Sequence, residues 1–163
     1  MKNIRLNVFE TNSSSCHSFV ANNDCLLSKE EVRKELYTEG SIHISFQEFG
    51  WGYEEVKSVS AKLVYFIQQI FERYGYKFFC SNPVASNVFS GERFQDIYEL
   101  NEECINEIND LLDELGVEAR YDDLIFTNVD GYIDHQSIEN YSPVDAARII
   151  LNPSATIIIS NDN

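Results

Sequence analysis

The 163-residue sequence predicts an α+β fold, a mainly antiparallel sheet packed with three to four helices in a single domain spanning residues 1–163. Three observations carry that expectation. Period-two segments such as Ile42, Ile44 and Phe46, interleaved with Ser41, His43 and Ser45, mark strands. Longer stretches with apolar residues at helical spacing mark helices, above all between Val56 and Tyr74. The two kinds follow one another without a regular strand–helix–strand alternation and without an internal repeat, which disfavours a doubly wound parallel sheet. A chain of this length buries roughly 70% of the surface its unfolded form exposes. Its 44% apolar and 13% aromatic residues are enough to build that core without disulfides or metals.

In chain order, Ile4, Leu6 and Val8 alternate with polar residues as a first strand, and a polar loop follows over Phe9 to Ser18. A short strand over Ser18 to Ala21 is expected to return beside the first. Ser28 and Glu31 have the form of a capping box, and Val32, Leu36 and Tyr37 give the short helix behind it an apolar stripe ending near Gly40. The strand around Ile42 to Phe46 breaks at Gly50-Trp51-Gly52-Tyr53. Val56, Val59, Leu63, Phe66, Ile67, Ile70, Phe71 and Tyr74 then predict a buried helix over about 53–74. Tyr76 to Cys80 is strand-like, and Val84 to Phe94 has no clear period. Ile97, Leu100, Cys104, Ile108, Leu111 and Leu115 share one face of a long helix stopped by Gly116. Leu124 to Phe126 is a core strand. Ser142 before Pro143 opens a last helix with Val144, Ala147, Ile150 and Leu151 inward, and Ala155 to Ile159 is a β-branched strand.

Charge narrows the function more than size does. With 27 acidic against 12 basic side chains the net charge is −15, a surface that repels free nucleic acid and anionic membranes. A basic protein partner, or a groove built to hold a phosphate backbone, suits it. Nine carboxylates lie between Glu92 and Glu114, opposed by Arg93 alone. Glu99, Glu102, Glu103, Glu107 and Asp110 stand as candidate partner-binding residues, since such a row approximates phosphates in sign and spacing. A solvated helix face has the same composition. Cys16, Cys25, Cys80 and Cys104 are scattered and are expected to be reduced; no membrane span or signal-peptide core is present, and a cytoplasmic protein is expected.

The candidate chemistry lies in two polar clusters. The first is Phe9-Glu10-Thr11-Asn12-Ser13-Ser14-Ser15-Cys16-His17-Ser18, and the second is Tyr132-Ile133-Asp134-His135-Gln136-Ser137. Each holds one of the chain's three histidines, the side chain that exchanges protons near neutral pH. Brought together, His17 and His135 could act as base and acid in metal-independent RNA cleavage, with Asp134 or Glu10 orienting a ring. Arg5 could steady charge on phosphate, and Asn12, Ser13, Ser14, Ser15 and Tyr132 could bind substrate. Both histidines could equally be turn-bonding residues. His43 alternates within a strand and is expected to be a face residue. Cys16 beside His17 is a poor nucleophile dyad, because neighbours in extended chain point to opposite faces. No cofactor is expected, and Asp122, Asp123, Asp130 and Asp134 lack the spacing of a known metal loop.

The run from Ile4 to Ser18, together with Ile133-Asp134-His135-Gln136-Ser137 and the closing Asn152-Pro153 to Asn161-Asp162-Asn163, resembles a group of small uncharacterised proteins of phages, plasmids and Gram-positive bacteria. That resemblance covers about a quarter of the chain, and it implies a mobile-element setting. Within that setting the chain is similar in size and acidity to anti-CRISPR proteins, an analogy of class and charge rather than of motif. The expectation is a counter-defence protein that inhibits an RNA-guided nuclease, docking on its basic channel and cutting or sequestering the guide RNA. A metal-independent ribonuclease with another target, and a non-catalytic acidic interaction protein or nucleic-acid mimic, are the alternatives.

Overall fold

The computed structural model describes residues 15–21, 25–50, 52–74, 102–128, 131–133 and 141–161. In chain order these form β1 (Ser15–Val20), α1 (Lys29–Leu36), β2 (Tyr37–Thr38), β3 (Ser41–Ser45), β4 (Glu48–Phe49), β5 (Glu54–Val56), α2 (Val59–Arg73), α3 (Glu102–Glu114), β6 (Leu124–Asn128), β7 (Tyr132–Ile133), α4 (Pro143–Leu151) and β8 (Thr156–Asn161). The expected segments at 4–8, 76–80 and 84–94 lie outside the described residues.

The fold is α+β, built round α2. Every residue of α2 from Lys62 to Phe71 is buried, so the helix is enclosed on all sides rather than along one stripe. Ser58 caps it by accepting a bond from the Ala61 amide at 3.2 Å. The helix begins later than its apolar period suggests, because Glu54–Val56 is drawn out as an edge strand along β8. Pairing energy from a neighbouring strand overrides a local helical pattern here.

Among the described residues three strand pairings are antiparallel (β1 with β8, β5 with β8, β2 with β3) and two are parallel (β3 with β6, β4 with β7). β8 is the middle strand of the order β1-β8-β5, with Ile157 and Ile159 buried. β1 starts at Ser15, inside the segment expected to be loop, and pairs His17 with Ile159 and Phe19 with Ile157. The ladder offered by the isoleucine-rich β8 recruits polar residues that have little strand preference of their own. Alternation then turns His17 and Phe19 inward. Gly40 does not stop α1, which ends at Leu36; Glu39 and Gly40, with φ of 53° and 84°, form the two-residue turn joining β2 to β3. Positive φ at both central positions is the turn that matches strand twist.

Helix ends follow local chemistry. Ser28 and Glu31 close the capping box of α1. Ser142 caps α4 with Pro143 at its first position, and Ala146, Ala147 and Ile150 are buried, whereas Val144 is exposed and Leu151 half-buried. α3 ends in a Schellman motif, with Val117 N–H on the Leu112 carbonyl at 3.3 Å and Gly116 N–H on that of Asp113 at 2.9 Å. Gly116 has φ of +70°, and a Cβ there would stand 2.8 Å from the Lys29 side chain. Since that side chain can swing away, Gly116→Ala is expected to cost about 1 kcal/mol, the backbone strain alone. Urea unfolding would register it as a lower midpoint with unchanged slope.

Polar side chains on α2 tie the surrounding segments to the core. Lys62 is fully buried, and its Nζ donates to the carbonyls of Ile149 (3.0 Å), Asn152 (2.8 Å) and Ala155 (3.2 Å), binding the end of α4 to the start of β8. The Gln68 amide donates to the Gln47 carbonyl at 2.7 Å and accepts from the Gln47 amide at 3.1 Å, as a neighbouring strand would. The Glu72 carboxylate accepts from the Ile133 amide at the head of the second polar cluster.

Candidate functional site

His17 is the one predicted catalytic side chain among the described residues, and it is 6% exposed. β1 turns it onto α2, where Nδ1 lies 2.6 Å from the Tyr65 hydroxyl. The Gln69 side-chain amide, one helical turn further on, donates to the same hydroxyl at 2.9 Å. The three form a buried polar chain in an apolar setting: Phe49 and Phe66 pack edge-on against Tyr65 at centroid distances of 5.2 and 5.3 Å. Low local polarity strengthens each of these bonds.

The second cluster enters by the same helix. β4 and β7 pair Phe49 with Ile133, whose amide Glu72 holds, and Gly131 lies so close to Gln47 that a Cβ would be 2.7 Å from its backbone nitrogen and oxygen. Phe49 thus touches Tyr65 on one side and pairs with Ile133 on the other. Tyr65 and Glu72 are seven residues apart, two turns of one helical face, or about 10 Å along the axis. The described ends of the two clusters therefore converge on α2. Asp134 and His135 themselves lie outside the described residues, as do Arg5, Glu10, Asn12, Ser13 and Ser14. Ser15 and Tyr132 are placed as strand residues, paired with Asn161 and Glu48 respectively. His43 is an exposed residue of β3, as its alternation predicts.

Sequence reasoning missed Tyr65, Gln69 and Glu72, the residues that receive the two clusters. A signal for them exists: Lys62, Tyr65, Gln69 and Glu72 interrupt an apolar helix at intervals of three, four and three, a polar line along one face.

Of the acidic candidates, Glu99 lies outside the described residues, while Glu102, Glu103 and Asp110 are exposed on α3. Glu107 is half-buried and faces α2, taking Arg73 at 2.7 Å and the Tyr74 hydroxyl at 3.1 Å. Burial, and then the bond to the Glu107 carboxylate, push the Tyr74 phenol above its ordinary value. A cavity of about 10 Å³ lies beside this ion pair, bordered by Gln69, Leu111 and Tyr141. That is room for one water and not for a nucleotide. Cys104, on the inner face of α3, is a free thiol pushed up to about 12 by burial, a core residue rather than a nucleophile.

Among the described residues no three His, Cys, Asp or Glu side chains converge as a metal site, and no helix is long and apolar enough to cross a membrane. Comparison with known proteins finds no matching family model, no matching curated protein and no matching solved structure.

Proposed function

We propose that this protein inhibits an RNA-guided nuclease by docking an acidic surface on the effector's basic nucleic-acid channel. The observation that carries this reading is the outward face of α3. Glu102, Glu103, Asp110, Asp113 and Glu114 are exposed along a helix with no Lys or Arg, and Glu118, Asp122 and Asp123 extend the exposed acidity beyond it. In this run Asp113 meets Arg120 in an exposed ion pair, which is worth little in water. Carboxylates held at helical spacing meet a cationic channel as a phosphate backbone does, and their attraction acts chiefly on encounter rate and salt dependence. The mobile-element setting comes from the resemblance of the N-terminal segment, Ile133–Ser137 and the closing segment, and the effector class from the analogy of size and acidity with anti-CRISPR proteins.

Purified effector loaded with guide RNA provides the test. Inhibition of DNA cleavage is expected to weaken as salt rises. Neutralising Glu102→Gln, Glu103→Gln and Asp110→Asn together is expected to weaken binding about tenfold at low salt. Binding that ignores both salt and the triple variant would remove α3 from the interface.

A second reading has its own observation, the approach of the described ends of both polar clusters, His17 and Ile133, to α2: the segment carrying His17 holds or cuts guide RNA already carried by the basic partner. Electrophoresis of the guide after incubation separates the two. A shortened guide favours cutting, and an intact guide with blocked DNA cleavage favours docking.

A further inference from the structure

We propose that the outer edge of β5 is a docking edge for an extended, lysine- or arginine-bearing segment of a protein partner, which adds to the sheet as a further strand with Tyr53 as its anchor. β5 has β8 on one side, with Glu54, Glu55 and Val56 paired to Ile159, Ile158 and Ile157, and among the described residues it has no strand on the other. In an antiparallel ladder alternate residues turn both backbone groups toward the neighbour, and those between turn theirs away. The outer side of β5 therefore presents amide and carbonyl groups in the pattern that an added strand completes.

Side chains select what can use that edge. Tyr53 is 66% exposed, more than any other large apolar or aromatic side chain among the described residues. It is pinned all the same: its hydroxyl donates to the Glu55 carboxylate at 2.5 Å, and that carboxylate also holds the Lys57 ammonium. The three alternate along the chain and share one face. A ring fixed before its partner arrives loses less freedom on binding, which suits tyrosine to the role of anchor. Glu54 lies on the opposite face, in register with buried Ile159. Partial burial pushes its carboxyl above the ordinary value, and no cation stands beside it among the described residues. An incoming Lys or Arg would supply one. Charged side chains also keep sheet edges from pairing with copies of themselves, and here the same carboxylates do both. A second copy brings a net charge of −15 to this edge, and RNA brings its phosphates, whereas a basic segment meets opposite charge. Only the identity of the partner as an effector nuclease rests on the function proposed above; the edge stands or falls separately.

The probe is a short capped peptide of alternating lysine and valine, titrated into the ¹⁵N-labelled full chain and followed by amide correlation spectra. Its control is the same peptide with every backbone amide N-methylated, which keeps the charge and cannot form a strand. The first peptide is expected to shift the amide resonances of residues 53–57 and to slow hydrogen exchange at the outward amides of β5, and the control to do neither. Equal shifts with both peptides, or shifts that spare residues 53–57, overturn the docking edge. Tyr53→Ser, at an exposed position, is expected to weaken peptide binding roughly fivefold. Glu54→Gln is expected to flatten its salt dependence. Affinity unmoved by Tyr53→Ser overturns the anchor. Effector loaded with guide RNA is the second probe, and hydrogen exchange at β5 is expected to slow in its complex with the full chain. A complex that leaves β5 exchange unchanged overturns the effector as the occupant of this edge. A wild type that binds no effector overturns the proposed function, and the peptide alone then decides the edge.

Discussion

Gly131→Ala is expected to destabilise the protein by about 3 kcal/mol, because the added methyl meets backbone on one side and a core side chain on the other. Its Cβ would stand 2.7 Å from both the nitrogen and the oxygen of Gln47 and 2.8 Å from the Phe46 Cβ. Neither neighbour yields easily. Gln68 clamps the Gln47 backbone from α2, and Phe46 is buried edge-on against Phe71 and Phe126. The displacement would fall instead on the short pairing of β4 with β7 and on the Glu72 bond to Ile133. Hydrogen exchange at the Ile133 amide is the site-specific reading, with urea unfolding for the total. A loss below about 0.5 kcal/mol, the range of an ordinary surface substitution, would show that the strand separates from Gln47 without cost.

Lys62→Met is expected to cost about 2 kcal/mol at pH 7. Methionine fills nearly the same volume, but the carbonyls of Ile149, Asn152 and Ala155 lose the ammonium that joins them. Part of that loss is offset, since a buried charge is itself costly; burial pushes the Lys62 amine down from 10.5 to about 8. The offset has a pH signature. Below about pH 8 the amine is charged in folded and unfolded chains alike, and the burial cost is fully present. From about 8 to 10.5 the unfolded chain binds more protons than the folded one, so stability rises with pH relative to the variant. The gap between wild type and Lys62→Met is therefore expected to widen across that window, by up to about 3 kcal/mol at its upper end. Urea midpoints of both proteins at pH 7 and pH 10 measure it, and a gap that narrows would mean that the carbonyls hold the ammonium more strongly than burial opposes it.

How much of this was legible in the sequence depends on the range of the interaction that decides each feature. Ser28 with Glu31, Ser142 with Pro143, and Gly116 after Leu115 are decided within five residues, and all three mark the helix ends where they stand. Ile42, Ile44 and Phe46 show their inward face by alternation alone. Glu54–Val56 was misread as helix because its partner, β8, lies about a hundred residues away. The same strand turned Ser15 to Ser18 from expected loop into ladder, and the parallel pairing of β3 with β6 has no local mark at all. For the site, composition pointed to His17 as a chemistry-bearing residue. The hydroxyl it meets in the core belongs to Tyr65, 48 residues downstream. Glu107, read as part of an outward acidic row, has its carboxylate committed to Arg73 and Tyr74 because a basic and a phenolic side chain end α2 opposite it.

The central place of β8 also sets an order of events during synthesis. β1 emerges first among the described strands and β5 well before α3, yet neither has its sheet neighbour until residues 156–161 have been made. The Lys62 ammonium likewise has its three carbonyl partners only when residue 155 is in place. Until then a growing chain carries β1 and β5 without β8 and a helix that the folded protein buries on all sides, the kind of surface that chaperones hold. Contacts spanning about 140 residues must close before this sheet exists, so its pairing cannot begin until residues 156–161 are in place.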